Sequence, residues 1–87
     1  MNQTQFKEKL ETQRVDELDK KIMEKANFDY ICVHNGKTHL RTCLRGAVEK
    51  VTNLSESQFC SVFGMFESDL EEYIDKLYEI MKQMGAE

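Results

Sequence analysis

The chain of 87 residues contains no proline, so no position forbids a continuous helix. Turns must therefore come from its four glycines and from capping residues. Between positions 4 and 26, apolar residues recur at spacings near three and four among dense charge, which predicts an amphipathic N-terminal helix. Helix is the default structure for this chain, and any departure from it needs a specific local signal.

One such signal lies just after the first helix. Residues 28–34 are rich in β-branched and aromatic side chains and precede Asn35-Gly36, the dipeptide preferred in two-residue hairpin turns. The pattern predicts a strand and a short β-hairpin around this dipeptide. A competing helical stripe starts at Leu40, inside the return strand. We expect a short return strand that gives way to helix near Cys43.

Three helices are predicted after the hairpin. The first carries an apolar stripe over residues 40–51, and residues 55–58 have the spacing of a capping box that opens the second. The last helix has a capping box at residues 68–71 and ends at Gly85. The expected fold is therefore mainly α with a small β-hairpin, in a single domain over residues 1–87.

The second half of the chain is also rich in large apolar side chains. Most of them are expected to lie in the core, because such residues are the usual material of a small interior. An adaptable binding groove is the less common use of methionine. The residues are Phe59, Phe63, Met65, Phe66, Tyr73, Tyr78, Met81 and Met84.

Both histidines and two of the three cysteines fall in one window: Cys32, His34, His39 and Cys43. Zinc prefers four sulfur or imidazole ligands in a tetrahedron, so the residue types fit. The spacing fits less well, since a single residue separates Cys32 from His34. We expect a polar hairpin face without metal or any other cofactor, and a zinc-organised domain is the third hypothesis.

Charge is distributed unevenly along a chain whose net charge is −4. The segment 51–87 has only Lys76 and Lys82 against eight acidic residues, and the outer face of the last predicted helix is strongly acidic. Such a face can steer and dock a protein partner. The predicted partner-binding residues are Glu67, Asp69, Glu72, Asp75 and Glu79.

A basic stretch in the middle of the chain supports an alternative function. Lys37, Arg41, Arg45 and Lys50 can grip phosphates, which predicts a nucleic-acid-binding regulator. A helix-turn-helix is disfavoured. Its second helix would be the recognition helix, and this helix would lie within segment 51–75, which has no lysine or arginine.

The leading hypothesis is a small non-enzymatic modulator, an inhibitor or adaptor that acts through helical surfaces. It binds another protein, or itself as a homodimer, and takes no small-molecule substrate. No activated nucleophile, carboxylate dyad or phosphate loop is present in the sequence. An odd cysteine count, a polar N-terminus and no long apolar run predict a cytoplasmic setting without membrane attachment. Small acidic inhibitors carried by phages, viruses and other mobile elements share this size and charge, and an origin of that kind is suggested by this analogy alone, which rests on no residue.

Overall fold

The computed structural model describes residues 1–86, and all regular structure within them is helical. The predicted mainly α class is therefore confirmed. The predicted β-hairpin is wrong, since residues 1–86 contain no strand. Within the described residues there are five α-helices, α1 to α5, which span Gln3–Glu11, Glu17–Phe28, Leu40–Thr52, Glu56–Val62 and Glu67–Gln83. A π-helical turn, Asp29–Val33, extends α2.

The Asn35-Gly36 dipeptide ends a helix instead of turning a hairpin. Asn35 has φ of 51° and Gly36 has φ of 72°, the left-handed conformation that an Asn-Gly hairpin turn also uses. Here this conformation closes the π-helical turn: the Gly36 N–H donates to the Tyr30 carbonyl at 2.8 Å. The prediction failed because a left-handed helix end and a tight hairpin turn favour the same dipeptide.

A buried carboxylate ties the π-helical turn to α3. Asp29 is 3% exposed; it accepts a hydrogen bond from Lys50 Nζ at 2.7 Å and pairs with Lys25 Nζ at 3.3 Å. Burial alone would raise the pKa of Asp29, but the hydrogen bonds and charges of the two lysines outweigh it and hold the pKa below 3.8. This tertiary contact overrides the local preference for a strand.

The stability contributed by Asp29 should depend on pH. Because its pKa is lower in the folded chain than in the unfolded chain, its ionised form stabilises the fold above about pH 4, and this contribution is lost as the pH falls through the folded pKa. We expect Asp29→Asn to lower the free energy of unfolding by about 1–3 kcal/mol near neutral pH. Urea unfolding at about pH 7 and about pH 3 should show the difference shrinking in acid. An equal difference at both pH values would contradict this role.

The predicted N-terminal helix is in fact two helices. The first ends beside Thr12, whose Oγ1 donates to the Lys9 carbonyl at 2.6 Å, and Asp16 is the N-cap residue of the second. One straight helix over residues 3–28 would be about 39 Å long. The longest dimension of the molecule is 34 Å. Breaking the helix lets both amphipathic stripes lie against the core.

The central helix is α3, which contacts α2, α4 and α5, while α1 packs on α2. The three predicted helices of the second half are confirmed. No helix among the described residues is long and apolar enough to cross a membrane. The largest side chains that are fully buried are Phe6, Leu10, Ile22, Met23, Leu40, Leu44, Val48, Phe59, Leu70, Ile74, Leu77 and Met81.

Candidate protein-binding surface

Three large apolar side chains are exposed to solvent at the junction between α4 and α5. Val62 is 66% exposed, Phe63 is 49% exposed and Phe66 is 79% exposed. Most of the eight large apolar residues of the second half do lie in or against the core, as expected, and Phe63 and Phe66 are the two exceptions. Single exposed apolar residues are common, but a group of them at one place is typical of an interaction site. We call Val62, Phe63 and Phe66 the aromatic corner.

Backbone hydrogen bonds fix the turn that carries the aromatic corner. Gly64 has φ of 63°, and the Met65 N–H donates to the Cys60 carbonyl at 2.9 Å, which closes α4 with a Schellman motif. Asp69 Oδ2 accepts a hydrogen bond from the Phe66 N–H at 2.9 Å, so Phe66 is the N-cap residue of α5. The aromatic corner thus sits on an ordered turn, and binding need not pay for ordering a loop.

A small cleft of about 210 Å³ opens beside Phe63. The Phe63 ring packs on Phe59 with centroids 4.6 Å apart, and Phe59 stacks on Tyr73 at 6.0 Å. Sites for small molecules usually enclose about 300–1,000 Å³. The cleft is therefore suited to one side chain of a protein partner. Its lining is Asp16, Leu18, Asp19, Phe59, Phe63, Met65, Tyr73 and Lys76.

A hydrogen bond between α5 and α2 supports this cleft. The Tyr73 hydroxyl donates to a carboxylate oxygen of Asp19, which is only 8% exposed. Burial, followed by the hydrogen bond and charge of Asp19, raises the pKa of Tyr73 above its ordinary value of 10. The hydroxyl therefore stays protonated at neutral pH and remains a donor.

Removing this donor should destabilise the chain. We expect Tyr73→Phe to lower the free energy of unfolding by about 1–3 kcal/mol, because Asp19 would keep its burial and lose its partner. Tyr30→Phe is the matched control, since the Tyr30 hydroxyl makes no hydrogen bond within residues 1–86. Urea unfolding measures both variants. Equal losses would show that the Tyr73 hydroxyl has no special role.

The five predicted acidic residues all lie on the exposed side of α5, but they differ in their partners. Asp75 pairs with Arg41, and Glu79 pairs with Lys82 at 3.7 Å. The other three form no ion pair with any described residue, so unneutralised negative charge is concentrated at the start of α5. We call these three the acidic rim: Glu67, Asp69 and Glu72.

The predicted nucleic-acid residues are largely paired inside the fold. Glu71 accepts contacts from both Arg41 and Arg45, and Lys50 is bound to the buried carboxylate of the π-helical turn. Lys37 alone of the four makes no ion pair within the part of the chain that the structure describes. A phosphate group would have to compete with carboxylates for three of these four cations.

The four residues predicted as zinc candidates have very different settings. Cys43 is 6% exposed inside α3, and burial, with a smaller effect of nearby Asp29, raises the pKa of its thiol. Cys32, His34 and His39 are exposed on the π-helical turn and the segment after it. Residues 1–86 contain no group of three Cys, His, Asp or Glu side chains placed to hold a metal ion.

Comparisons of the chain with protein-family models, with curated proteins and with solved structures find no match. The function is therefore inferred from the surface of the chain itself. That surface combines an ordered aromatic corner, a cleft of side-chain size and an acidic rim on the following helix.

The sequence indicated the acidic rim but not the aromatic corner. One signal was present in the sequence: Gly64 follows Phe63 directly, and glycine commonly ends a helix. In the structure the helix that it ends has only seven residues. Such a short helix presents one narrow buried face, and Phe59 with Cys60 fills it. Large apolar residues beyond that face, next to a glycine turn, are therefore candidates for exposure.

Proposed function

We propose that this chain is a small non-enzymatic modulator that binds a protein partner through the aromatic corner and the acidic rim. The observation that carries this proposal is the 79% exposure of Phe66 in a chain that leaves Phe6 and Phe59 at most 1% exposed. Burying a phenylalanine side chain contributes about 1.5–3 kcal/mol. The isolated chain forgoes this contribution at Phe66, and a complex can gain it.

The form of the surface also supports binding. Aromatic side chains dominate the binding energy of many interfaces, especially when they lie beside a pocket that a partner side chain can fill. Phe63 lies beside such a cleft. The three free thiols, Cys32, Cys43 and Cys60, support a reducing, cytoplasmic setting for the complex.

Nucleic-acid binding receives no comparable support. Its predicted cations Arg41, Arg45 and Lys50 already contact carboxylates, and these contacts would have to be broken or shared. Counterion release by such paired cations contributes less to affinity than release by free ones. We therefore retain protein binding as the single proposed function.

Capture of partners by a tagged chain tests the proposal. The tagged wild-type chain is expressed in the source cells, purified gently and examined by native mass spectrometry. A protein bound to the wild type should be lost from Val62→Ser/Phe66→Ser and kept by the control Phe28→Ser/Val33→Ser. The control removes the same residue types from exposed positions elsewhere, 42% and 57% exposed. Equal capture by both variants would contradict the proposed surface.

A further inference from the structure

Resting on the proposed function, we infer that the partner presents a cationic amphipathic segment to the aromatic corner. Apolar side chains of this segment cover Val62, Phe63 and Phe66, and its lysines or arginines face the acidic rim.

The first support is the way in which the fold distributes its ion pairs. Segment 51–75 has acidic residues and no lysine or arginine, so its neutralisation must come from elsewhere in the chain. Arg41 and Arg45 of α3 supply it to Glu56, Glu71 and Asp75. Glu67, Asp69 and Glu72 of the acidic rim form no ion pair with any described residue, and a partner that supplies cations would complete them.

The second support is the charge around the cleft. Asp16 and Asp19 belong to the start of α2 and line the cleft beside the apolar residues, with Lys76 as the single cation of the lining. Asp16 is exposed and forms no ion pair within residues 1–86. A segment that inserts an apolar side chain here therefore meets carboxylates at the cleft itself as well as along the start of α5.

The same charges disfavour a second copy of the chain as the occupant. A two-fold symmetric contact brings the same patch of both copies together, so two acidic rims would face each other around the aromatic corner. Like charges placed across an interface are costly, and acidic or neutral partners would gain nothing from the rim. An amphipathic segment with apolar residues at helical spacing and cations between them satisfies both the corner and the rim.

The test uses a synthetic peptide of leucine and lysine at amphipathic helical spacing as the probe, and the matched peptide with glutamate for lysine as its control. Fluorescence anisotropy at low salt measures binding to the purified chain. We expect the lysine peptide to bind and the glutamate peptide not to bind. Glu67→Lys/Glu72→Lys and Phe66→Ser should each weaken binding at least about tenfold.

A charge-matched variant separates the rim from net charge. Glu8→Lys/Glu11→Lys makes the same change of charge at exposed positions of α1, which form no ion pair with another described residue. It should change the affinity less than about threefold, through long-range electrostatics alone. Glu72→Lys is also measured alone, because Glu72 lies inside α5 and its replacement leaves the helix start intact. It should weaken binding in the same direction as the double variant. Circular dichroism checks that each variant is folded.

Several outcomes would overturn the inference. One is that Glu67→Lys/Glu72→Lys and Glu8→Lys/Glu11→Lys weaken binding equally. A second is that the two peptides bind equally well, and a third is that the lysine peptide does not bind. The fourth is a concentration-dependent dimer of the chain that Phe66→Ser dissociates. The two proposals can fail separately. A captured partner that is lost from Val62→Ser/Phe66→Ser but kept by Glu67→Lys/Glu72→Lys would leave the proposed function standing and remove the cationic partner.

Discussion

Replacing Val62 and Phe66 together by serine is expected to weaken binding of the captured partner at least about 30-fold. Truncation of an interface aromatic at a well-packed centre commonly costs about 2 kcal/mol or more, and each 1.4 kcal/mol is a factor of ten in affinity. Phe66 has the most exposed large apolar side chain among the described residues, at 79%, so most of its burial is available to a partner. Isothermal titration calorimetry with the purified partner measures the change.

The same variant should fold as well as the wild type. Both side chains are exposed, and serine is a favoured residue at the N-cap position that Phe66 occupies, so the free energy of unfolding should change by no more than about 0.5 kcal/mol. Phe63 is left intact because its ring packs on Phe59 and its loss would disturb the core. The control Phe28→Ser/Val33→Ser should bind within about threefold of the wild type. Weak binding by this control would mean that the contact surface includes α2 or the π-helical turn.

Phe6→Ala is expected to lower the free energy of unfolding by about 3–5 kcal/mol. Phe6 is 0% exposed, and its removal would leave a cavity where α1 packs on α2. Polar contacts tie the same helix to its neighbours: Lys9 Nζ donates to the Met84 carbonyl at 3.3 Å, and Asn27 Nδ2 donates to Gln3 Oε1 at 2.7 Å. Small domains have only about 5–15 kcal/mol of stability in total, so the variant should be close to unfolding.

Glu8→Ala is the matched control for this prediction, because Glu8 is exposed on the same helix. It should change the free energy of unfolding by less than about 0.5 kcal/mol. Urea unfolding followed by circular dichroism measures both variants. If Phe6→Ala unfolds at the same urea concentration as the control, α1 does not contribute to the core as the structure shows.

The helices of the second half were predictable because their apolar stripes and capping residues agree. The capping box at Ser55 is present, with the Gln58 N–H donating to Ser55 Oγ at 3.2 Å. At the start of α5 the local pattern placed the box two residues late: Asp69 caps the N–H of Phe66, and Ser68 does not act as the N-cap. Capping patterns locate a helix start to within a turn, while packing selects the residue.

The local sequence pattern alone does not exclude the β-hairpin. Asn35-Gly36 suits both a hairpin turn and a helix end, and the contact of Lys50 with the carboxylate of Asp29, 21 positions earlier, favours the helix end. The acidic rim also depends on contacts between residues that are distant in sequence. The sequence shows acidic side chains along α5, but it does not show that Arg41 reaches Asp75 and leaves Glu72 unpaired. Pairing across helices is decided by the packing angle of α3 on α5, which no local signal specifies.

Photo-crosslinking from the aromatic corner tests the central claim most directly. A benzophenone amino acid replaces Val62 in one variant and Val33, the exposed control, in another, and both are irradiated in the source cells. Contact through the aromatic corner predicts a discrete crosslinked protein from position 62 and none from position 33. A crosslink from position 33 with none from position 62 would show that this chain binds its partner through a different surface.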